Sequence, residues 1–346
     1  MVNQIEFPRK ILLSEGGISQ TGEVASEFAK EKNALIVSNE GLMDVVGNNI
    51  LKNLEDSGFS VSTYFTLKAT PESIQEAQER IKQEKASIVL GVGGGTCIDV
   101  AKLSSFNEQV PFISVPTAPS HDGLNSPVAS IKTEDGSKSF PARAPVAIIA
   151  DLSVIASAPP RFLPSGCGDI VSNFTAVEDW KLAHKEKGES FDKYSSALSL
   201  MGAEVILDNA DLIAKRDIEG LRLVVHALIS AGSAMCIAGS SRPCSGAEHL
   251  FSHTLDKLAP KPAMHGEQCG VGSILTAHLQ GLDWEKFRDV LKKIGTPTTA
   301  KELGIAPEII VKALSTAHEI RDRYTILGSG ISEEKAQQVA QDTGVI

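Results

Sequence analysis

Two hydrophobic periods divide the chain. Toward the N-terminus, β-rich apolar runs recur as "NALIVS" (33–38), "FSVSTYF" (59–65), "ASIVLGVG" (86–93), "PFISVP" (111–116) and "PVAIIAD" (145–151). Amphipathic segments near 17–30, 41–56, 71–84 and 96–106 alternate with them. Strands alternating with helices predict βαβ units and a mainly parallel sheet covered by helices on both faces. The run "SPVASI" (126–131) and the strand after it predict a hairpin beside that sheet. Beyond "IASAPPRFLPSGCGD" (155–169) the apolar spacing becomes i, i+3, i+4, which predicts helices over 168–186, 190–213, 217–239, 244–256, 265–281, 284–294, 306–316 and 333–342. The Pro-rich joint at 159–164 sets the expected boundary, with an α/β domain over 1–158 and an all-α domain over 159–346.

Composition changes this picture little. A chain of 346 residues, 42% hydrophobic and 22% charged, is long enough for two cores and carries no bias toward disorder. Its net charge of −10, without a Lys/Arg block, argues against a nucleic-acid groove or a polybasic membrane patch. A small anionic substrate then needs local positive charge or backbone donors. The five cysteines, 97, 167, 236, 244 and 269, form no C-x-x-C pair and read as small buried residues of a reducing compartment. No leader pattern opens the chain and no run of about 18 apolar residues interrupts it, so a soluble, cytoplasmic protein without stable membrane insertion is expected.

The first chemistry lies in "ASIVLGVGGGTCIDVAKLSS". A buried-looking strand runs through Gly91, Gly93, Gly94 and Gly95 into a helix beginning at Thr96 or Cys97. Glycines there let backbone N–H groups approach a pyrophosphate at a helix N-terminus, where the dipole favours an anion. A tight turn needs one glycine for positive φ, not four in five positions. The match to G-x-G-x-x-G is imperfect, with Thr96 in the last place, so the motif alone does not separate a dinucleotide from another phosphate ligand. The loop "VPTAPSHDGLNSPVASI" follows the next strand and predicts a neighbouring polar wall. Its bland reading is a set of turns at Pro116, Pro119 and Asp122-Gly123. The tip of "NALIVSNEG" carries no acid directly at the position that would exclude a 2'-phosphate, so NADP stays open beside NAD.

The helical half offers metal-type side chains at Asp169, at His249 and His253 four residues apart, and at His265. Two histidines and a carboxylate leave a fourth position open, as a catalytic Zn²⁺ site requires. His184, His226, His278 and His318 have no motif context and read as packed or surface residues. Position 250 is Leu, not the Glu of a zincin, which excludes a protease of that kind.

Together, "GVGGGTCIDVAK", "PTAPSHDGLNSP", "GCGD", "SRPCSGAEHLFSH" and "MHGEQCGVGS", in this order, resemble the archaeal-type sn-glycerol-1-phosphate dehydrogenase family, within the wider group of metal-dependent glycerol dehydrogenases and dehydroquinate synthases. The resemblance spans nearly the whole chain. It implies a Rossmann-like dinucleotide-binding domain, a helical metal- and substrate-binding domain, and an active site in the interdomain cleft. It places Gly95, Thr96, Cys97, Ile98 and Asp99, then Thr117, Ala118, Pro119 and Ser120, then Ser126, against NAD or NADP, beside Gly93 and Gly94 of the glycine loop. It makes Asp169, His249 and His265 ligands of one Zn²⁺ per chain, and Asp122, Asp169 and His253 substrate contacts.

The implied reaction is reduction of dihydroxyacetone phosphate to sn-glycerol 1-phosphate, which supplies membrane ether-lipid synthesis. The substrate is a small molecule and a homo-oligomer is expected. Asp122, His253 and bound water are the candidates for proton delivery, and Arg242 is a guess for the phosphate. Rival readings are a glycerol dehydrogenase acting on unphosphorylated polyols, a cyclase using nicotinamide transiently, and a non-catalytic nucleotide-binding protein.

Overall fold

A computed structural model describes residues 5–133 and 136–346. By contacts the chain forms two units, one of 1–119 and 123–159, the other of 120–122 and 160–346.

The first unit is built on eight strands: β1 (Lys10–Ser14), β2 (Asn33–Ser38), β3 (Ser60–Phe65), β4 (Ile88–Gly93), β5 (Phe112–Pro116), β6 (Val128–Thr133), β7 (Gly136–Pro141) and β8 (Ala147–Asp151). Six of them make one sheet in the order β1-β8-β5-β4-β2-β3, and every pairing in it is parallel. β6 and β7 pair antiparallel as the expected hairpin; residues 134–135 lie outside the described residues, as do residues 1–4. Helices α1 (Thr21–Phe28), α2 (Asn48–Asp56), α3 (Pro71–Gln83) and α4 (Gly95–Asn107) form the connections. Strands buried on both faces read as continuous Val, Ile and Leu, and Ile36, Leu90, Ile113 and Ile149 lie at the centre of this core. The chain leaves β2 toward β3 on one side and β4 toward β5 on the other, so the winding reverses between β2 and β4. At such a reversal an open α/β sheet leaves a crevice outside the carboxyl ends of its strands. The glycine loop follows β4 there.

β1 is an element the apolar pattern missed. "KILLS" is short and polar at both ends, and it becomes a strand only because β8 pairs with it from Lys10↔Ala147 to Ser14↔Asp151. The helix expected from 41 is broken by a π-type turn over Met43–Gly47 that leaves Val45 exposed.

The second unit has no strand among its described residues. Its main helices are α5 (Phe162–Val171), α6 (Asn173–Lys187), α7 (Lys193–Asp208), α8 (Ile218–Ala238), α9 (Ala247–Leu258), α10 (His265–Gln280), α11 (Trp284–Ile294), α12 (Pro307–Thr316) and α13 (Glu333–Asp342). α8 is long and apolar enough to cross a membrane, with a mean hydropathy of 1.7, but packs along α7 inside this unit. The helix expected over 168–186 starts instead at Phe162, and Ser172 separates it from the next. Pro164 sits in the first turn of α5, where no helical N–H partner is lost. The glycines that follow are explained by packing. A Cβ on Gly168 would stand 2.2 Å from the carbonyl oxygen of Gly266, and one on Gly266 would stand 1.9 Å from that of Ser165. α5 and α10 therefore touch backbone to backbone, which brings Asp169 of one beside His265 of the other.

Gly266→Ala must force these helices apart. Overpacking ordinarily costs about 1–3 kcal/mol, and an obstacle made of backbone gives least. Thermal unfolding is expected several degrees lower than wild type, at roughly 2–4 °C per kcal/mol, with a matching loss of divalent-metal affinity in equilibrium dialysis.

Candidate functional site

Each glycine of the first unit's loop does something different. Gly91 lies against α4 and β5, where a Cβ would come within 2.9 Å of Ala101 and Phe112. Gly93 has φ of 149°, which disfavours a side chain. Gly94 is the N-cap of α4, and a Cβ there would meet no atom within 4 Å, so the open surface lies above it. No side chain caps this helix and no acid sits in its first turn. Its amino end, starting at Gly95, Thr96 and Cys97, is therefore left with N–H groups for an anion. Ile98 is buried beneath it, and burial pushes the Cys97 thiol up to about 11, so that it remains a thiol. The Thr117 N–H donates to the Gly93 carbonyl at 3.1 Å, which joins the second loop, with Ala118 and Pro119, to the first.

Asp99 and Ser126 meet on a residue that the motifs did not single out. The fully buried Lys102 ammonium donates to Gly123 O and Val128 O at 2.7 Å, and to Asp99 Oδ1 and Ser126 Oγ at 3.2 Å. Asp99 Oδ2 also accepts the Ser130 N–H at 3.1 Å. Four acceptors compensate one buried charge, and the knot ties α4 to the stretch 123–130. The tip of β2 carries Asn39, whose side chain caps the following turn by accepting the Leu42 N–H at 2.9 Å. It offers no carboxylate there.

In the second unit three elements bring a metal-type donor set together. Asp169, near the end of α5, is buried, and its Oδ1 has no hydrogen-bond partner. That atom lies 3.7 Å from His249 Nε2 on α9 and 3.6 Å from His265 Nε2 at the start of α10. The other ring nitrogens are engaged. His249 Nδ1 meets Glu248 Oε1 at 2.9 Å, and His265 Nδ1 meets Ser252 Oγ at 3.2 Å. An Nδ1–H donated to an acceptor leaves Nε2 as a lone pair, which orients both rings toward Asp169.

The supports behind these groups stand inside the quoted motifs, but no role was read for them there. Glu248 also accepts from the Thr175 hydroxyl at 2.8 Å and from the Gly246 N–H at 2.5 Å. Gln268 donates to Ser252 Oγ and Asp256 Oδ1, both at 3.0 Å. Glu267 caps the start of α10, and both of its carboxylate oxygens accept from one edge of the Arg161 guanidinium.

Electrostatics match the geometry. Burial, opposed by the Asp122 N–H and reinforced by Glu248, pushes the Asp169 carboxyl up to about 7. Burial, then the neighbouring His265, holds His249 and His253 well below the ordinary histidine range, so both imidazoles are neutral. An unpartnered buried carboxylate oxygen facing two imidazole nitrogens is costly as it stands. The same arrangement is what a divalent cation with nitrogen and oxygen preference takes. The residues present fit a metal.

Asp122 and Ser120 belong by their contacts to this second unit. The Asp122 N–H donates to Asp169 Oδ2 at 2.9 Å, and the Ser120 carbonyl accepts from Ser165 Oγ at 3.1 Å. Ser120 is thus tied to α5. His121, between them, stands edge-on to His265 with 6.3 Å between ring centroids. His253 lies outside the donor group: its ring centroid is 5.7 Å from that of His265, and its buried Nδ1 has no hydrogen-bond partner, with Asp256 Oδ2 at 4.0 Å. Arg242 is committed elsewhere. It grips both Glu189 oxygens and donates to the Tyr324 carbonyl at 2.9 Å, so the guess that it serves a substrate phosphate is withdrawn. All five cysteines are buried, and none forms a disulfide among the described residues.

Known proteins share both units. A family model described as iron-containing alcohol dehydrogenase matches residues 12–159. A protein of Methanosarcina mazei named glycerol-1-phosphate dehydrogenase (NAD(P)+) is 50% identical over 99% of this chain and 96% of its own length. One of the same name from Thermococcus sibiricus is 50% identical over 99% and 98%. The crystal structure of glycerol dehydrogenase from Schizosaccharomyces pombe superposes with a TM-score of 0.82 at 20% identity, over 99% of this chain and 90% of that one, a likeness of fold.

Proposed function

Because the chain belongs to the glycerol-1-phosphate dehydrogenase family, we propose that it reduces dihydroxyacetone phosphate with NADH or NADPH to sn-glycerol 1-phosphate, and runs the reverse reaction. The observation that carries the reading is the convergence of His249 Nε2 and His265 Nε2 on the unpartnered Asp169 Oδ1. A lapsed or purely nucleotide-binding protein has no use for that arrangement.

Asp169, His249 and His265 would hold the metal, which we infer to be zinc from the nitrogen and carboxylate donors. Such an ion supplies Lewis acidity, drawing charge from the substrate carbonyl, and the nicotinamide supplies the hydride. The residues around it orient and exclude water. Asp122 fixes the Asp169 carboxylate through its backbone N–H and lies where it can meet substrate. Gly93 to Asp99 present the amino end of α4 to the dinucleotide pyrophosphate, with Thr117 to Ser120 and Ser126 beside it. His253 is assigned proton delivery to the reduced oxygen: its neutral ring would give up the proton on one nitrogen as Nδ1, 4.0 Å from Asp256 Oδ2, takes a replacement from water.

The phosphate dianion calls for positive charge that this acidic chain must concentrate locally. Arg321 is the proposed donor: its charge reaches His249 and His253, depressing their protonation, whereas Arg323 is held by the Ser245 carbonyl and by Ser241 Oγ. Burial, then Arg321 and Arg242, push the Arg323 guanidinium down to about 9, opposed by Glu248 and Glu189. Arg321→Met is expected to raise KM for dihydroxyacetone phosphate at least tenfold, since a hydrogen bond to a charged group contributes about 1.5–3 kcal/mol. KM for NADPH should stay unchanged.

The reading is tested by NAD(P)H oxidation with dihydroxyacetone phosphate, followed by chiral analysis of the product. Formation of the 3-phosphate enantiomer refutes it. Faster turnover of unphosphorylated dihydroxyacetone favours the polyol dehydrogenase instead.

A further inference from the structure

We propose that the outer face of α7 docks a second copy of this chain, helix against antiparallel helix about a two-fold axis. α7 is apolar on two sides. Its inner side, with Gly202, Ala203, Ile206 and Leu207 buried, packs along α8, where a Cβ on Gly202 would stand 3.5 Å from the Ala227 carbonyl oxygen. Its outer side carries Tyr194, Leu198, Met201 and Val205, whose i, i+4, i+7 and i+11 spacing makes one stripe. Tyr194 is 83% exposed and Met201 50%, with Leu198 and Val205 partly buried beside them. Among the described residues of this unit, Leu258 is the only other large apolar side chain so exposed. A helix apolar all round is ordinarily a buried one, and a contiguous apolar stripe left in the open marks a contact surface.

Charge says what covers it. Lys193, Glu204 and Asp208 are exposed along one edge of the stripe. At 100° per residue, the eleven positions from Lys193 to Glu204 make three turns and return to within about 20°. Residues on the same edge meet when two identical helices pack antiparallel. With the two-fold axis between Ser199 and Leu200, Lys193 meets Glu204 with Asp208 beyond it, Tyr194 meets Val205, and Leu198 meets Met201. The face is complementary to itself in charge and in apolar pattern, as an isologous contact requires. These charges are free to pair: none of the three has an ion-pair partner among the described residues, whereas Asp211, just beyond, is held by Lys293 at 2.9 Å. The same acids disfavour an anionic lipid surface, which attracts helices with a Lys- and Arg-rich polar face.

The first test needs no variant. A carbodiimide joins an amine to a carboxylate only where the two touch, and within one chain Lys193 and Glu204 lie about 16 Å apart along α7. Cross-linked full-length protein is expected to yield a species of twice the chain mass, with Lys193 joined to Glu204 or Asp208 in its peptides. In sedimentation velocity Met201→Glu and Lys193→Glu are each expected to have half the subunit number of wild type, which holds whether or not the chain also pairs elsewhere. The double variant Lys193→Glu/Glu204→Lys is expected to regain the wild-type number. Wild type sedimenting as single chains, wild-type assembly in Met201→Glu, or a double variant that stays apart would overturn the proposal. So would single chains that bind anionic lipid vesicles through this face, a binding lost in Met201→Glu, since that assigns the stripe to a membrane.

Discussion

Asp169→Asn is expected to empty the protein of metal and to lower kcat/KM by roughly 10³-fold or more. The magnitude follows from the Lewis-acid contribution, worth several kcal/mol, at about 1.4 kcal/mol per factor of ten. Asn keeps the shape of the side chain and an oxygen to accept the Asp122 N–H, which the wild-type carboxylate does at 2.9 Å. It removes the one formal charge among the donors. It also removes a buried carboxylate whose Oδ1 has no protein partner, so the metal-free variant should melt no lower than metal-free wild type. That second reading separates loss of the ion from loss of the fold. Metal analysis, NAD(P)H oxidation and thermal unfolding in chelator check the three parts. Retained activity in chelated wild type would sink the proposed role of the ion.

How much of this was legible in the chain depends on how far apart the interacting residues lie. β2, β4 and β5 declare themselves because strands buried on both faces are continuous apolar runs. The glycine loop declares itself because positive φ at Gly93 and close packing at Gly91 both exclude side chains. β1 does not, since its partner, β8, arrives more than 130 residues later. The start of α5 was hidden because Pro164, Gly166 and Gly168 are poor helix residues by local propensity; contact with Gly266 overrides that preference. Lys102, Glu248 and Glu267 stand inside the quoted motifs, and Arg161 beside the Pro-rich joint, yet nothing in the sequence signals what they bind. Each is an ordinary charged residue in a helical pattern until its partners are in place. The metal donors fall between these cases: their residue types were suggestive, but spacing alone could not rank His249 against His253.

The paired variants His249→Ala and His253→Ala separate those two histidines. Both sit on α9 one turn apart, both are buried, and burial holds both neutral. They differ in what their nitrogens face. His249 Nδ1 is held by Glu248, which turns Nε2 to within 3.7 Å of Asp169 Oδ1. His253 Nδ1 faces Asp256 Oδ2 at 4.0 Å, and the ring contributes nothing to the donor group. His249→Ala is therefore expected to lose metal together with activity. His253→Ala is expected to keep a full complement of metal and lose about 10²–10⁴ in kcat, the usual contribution of a positioned proton donor. If KM for dihydroxyacetone phosphate rose with kcat intact, His253 would be a substrate contact and proton delivery would pass to Asp122 or water. Equal metal loss in the two variants would put both histidines on the ion and remove His265 or Asp169 from the set.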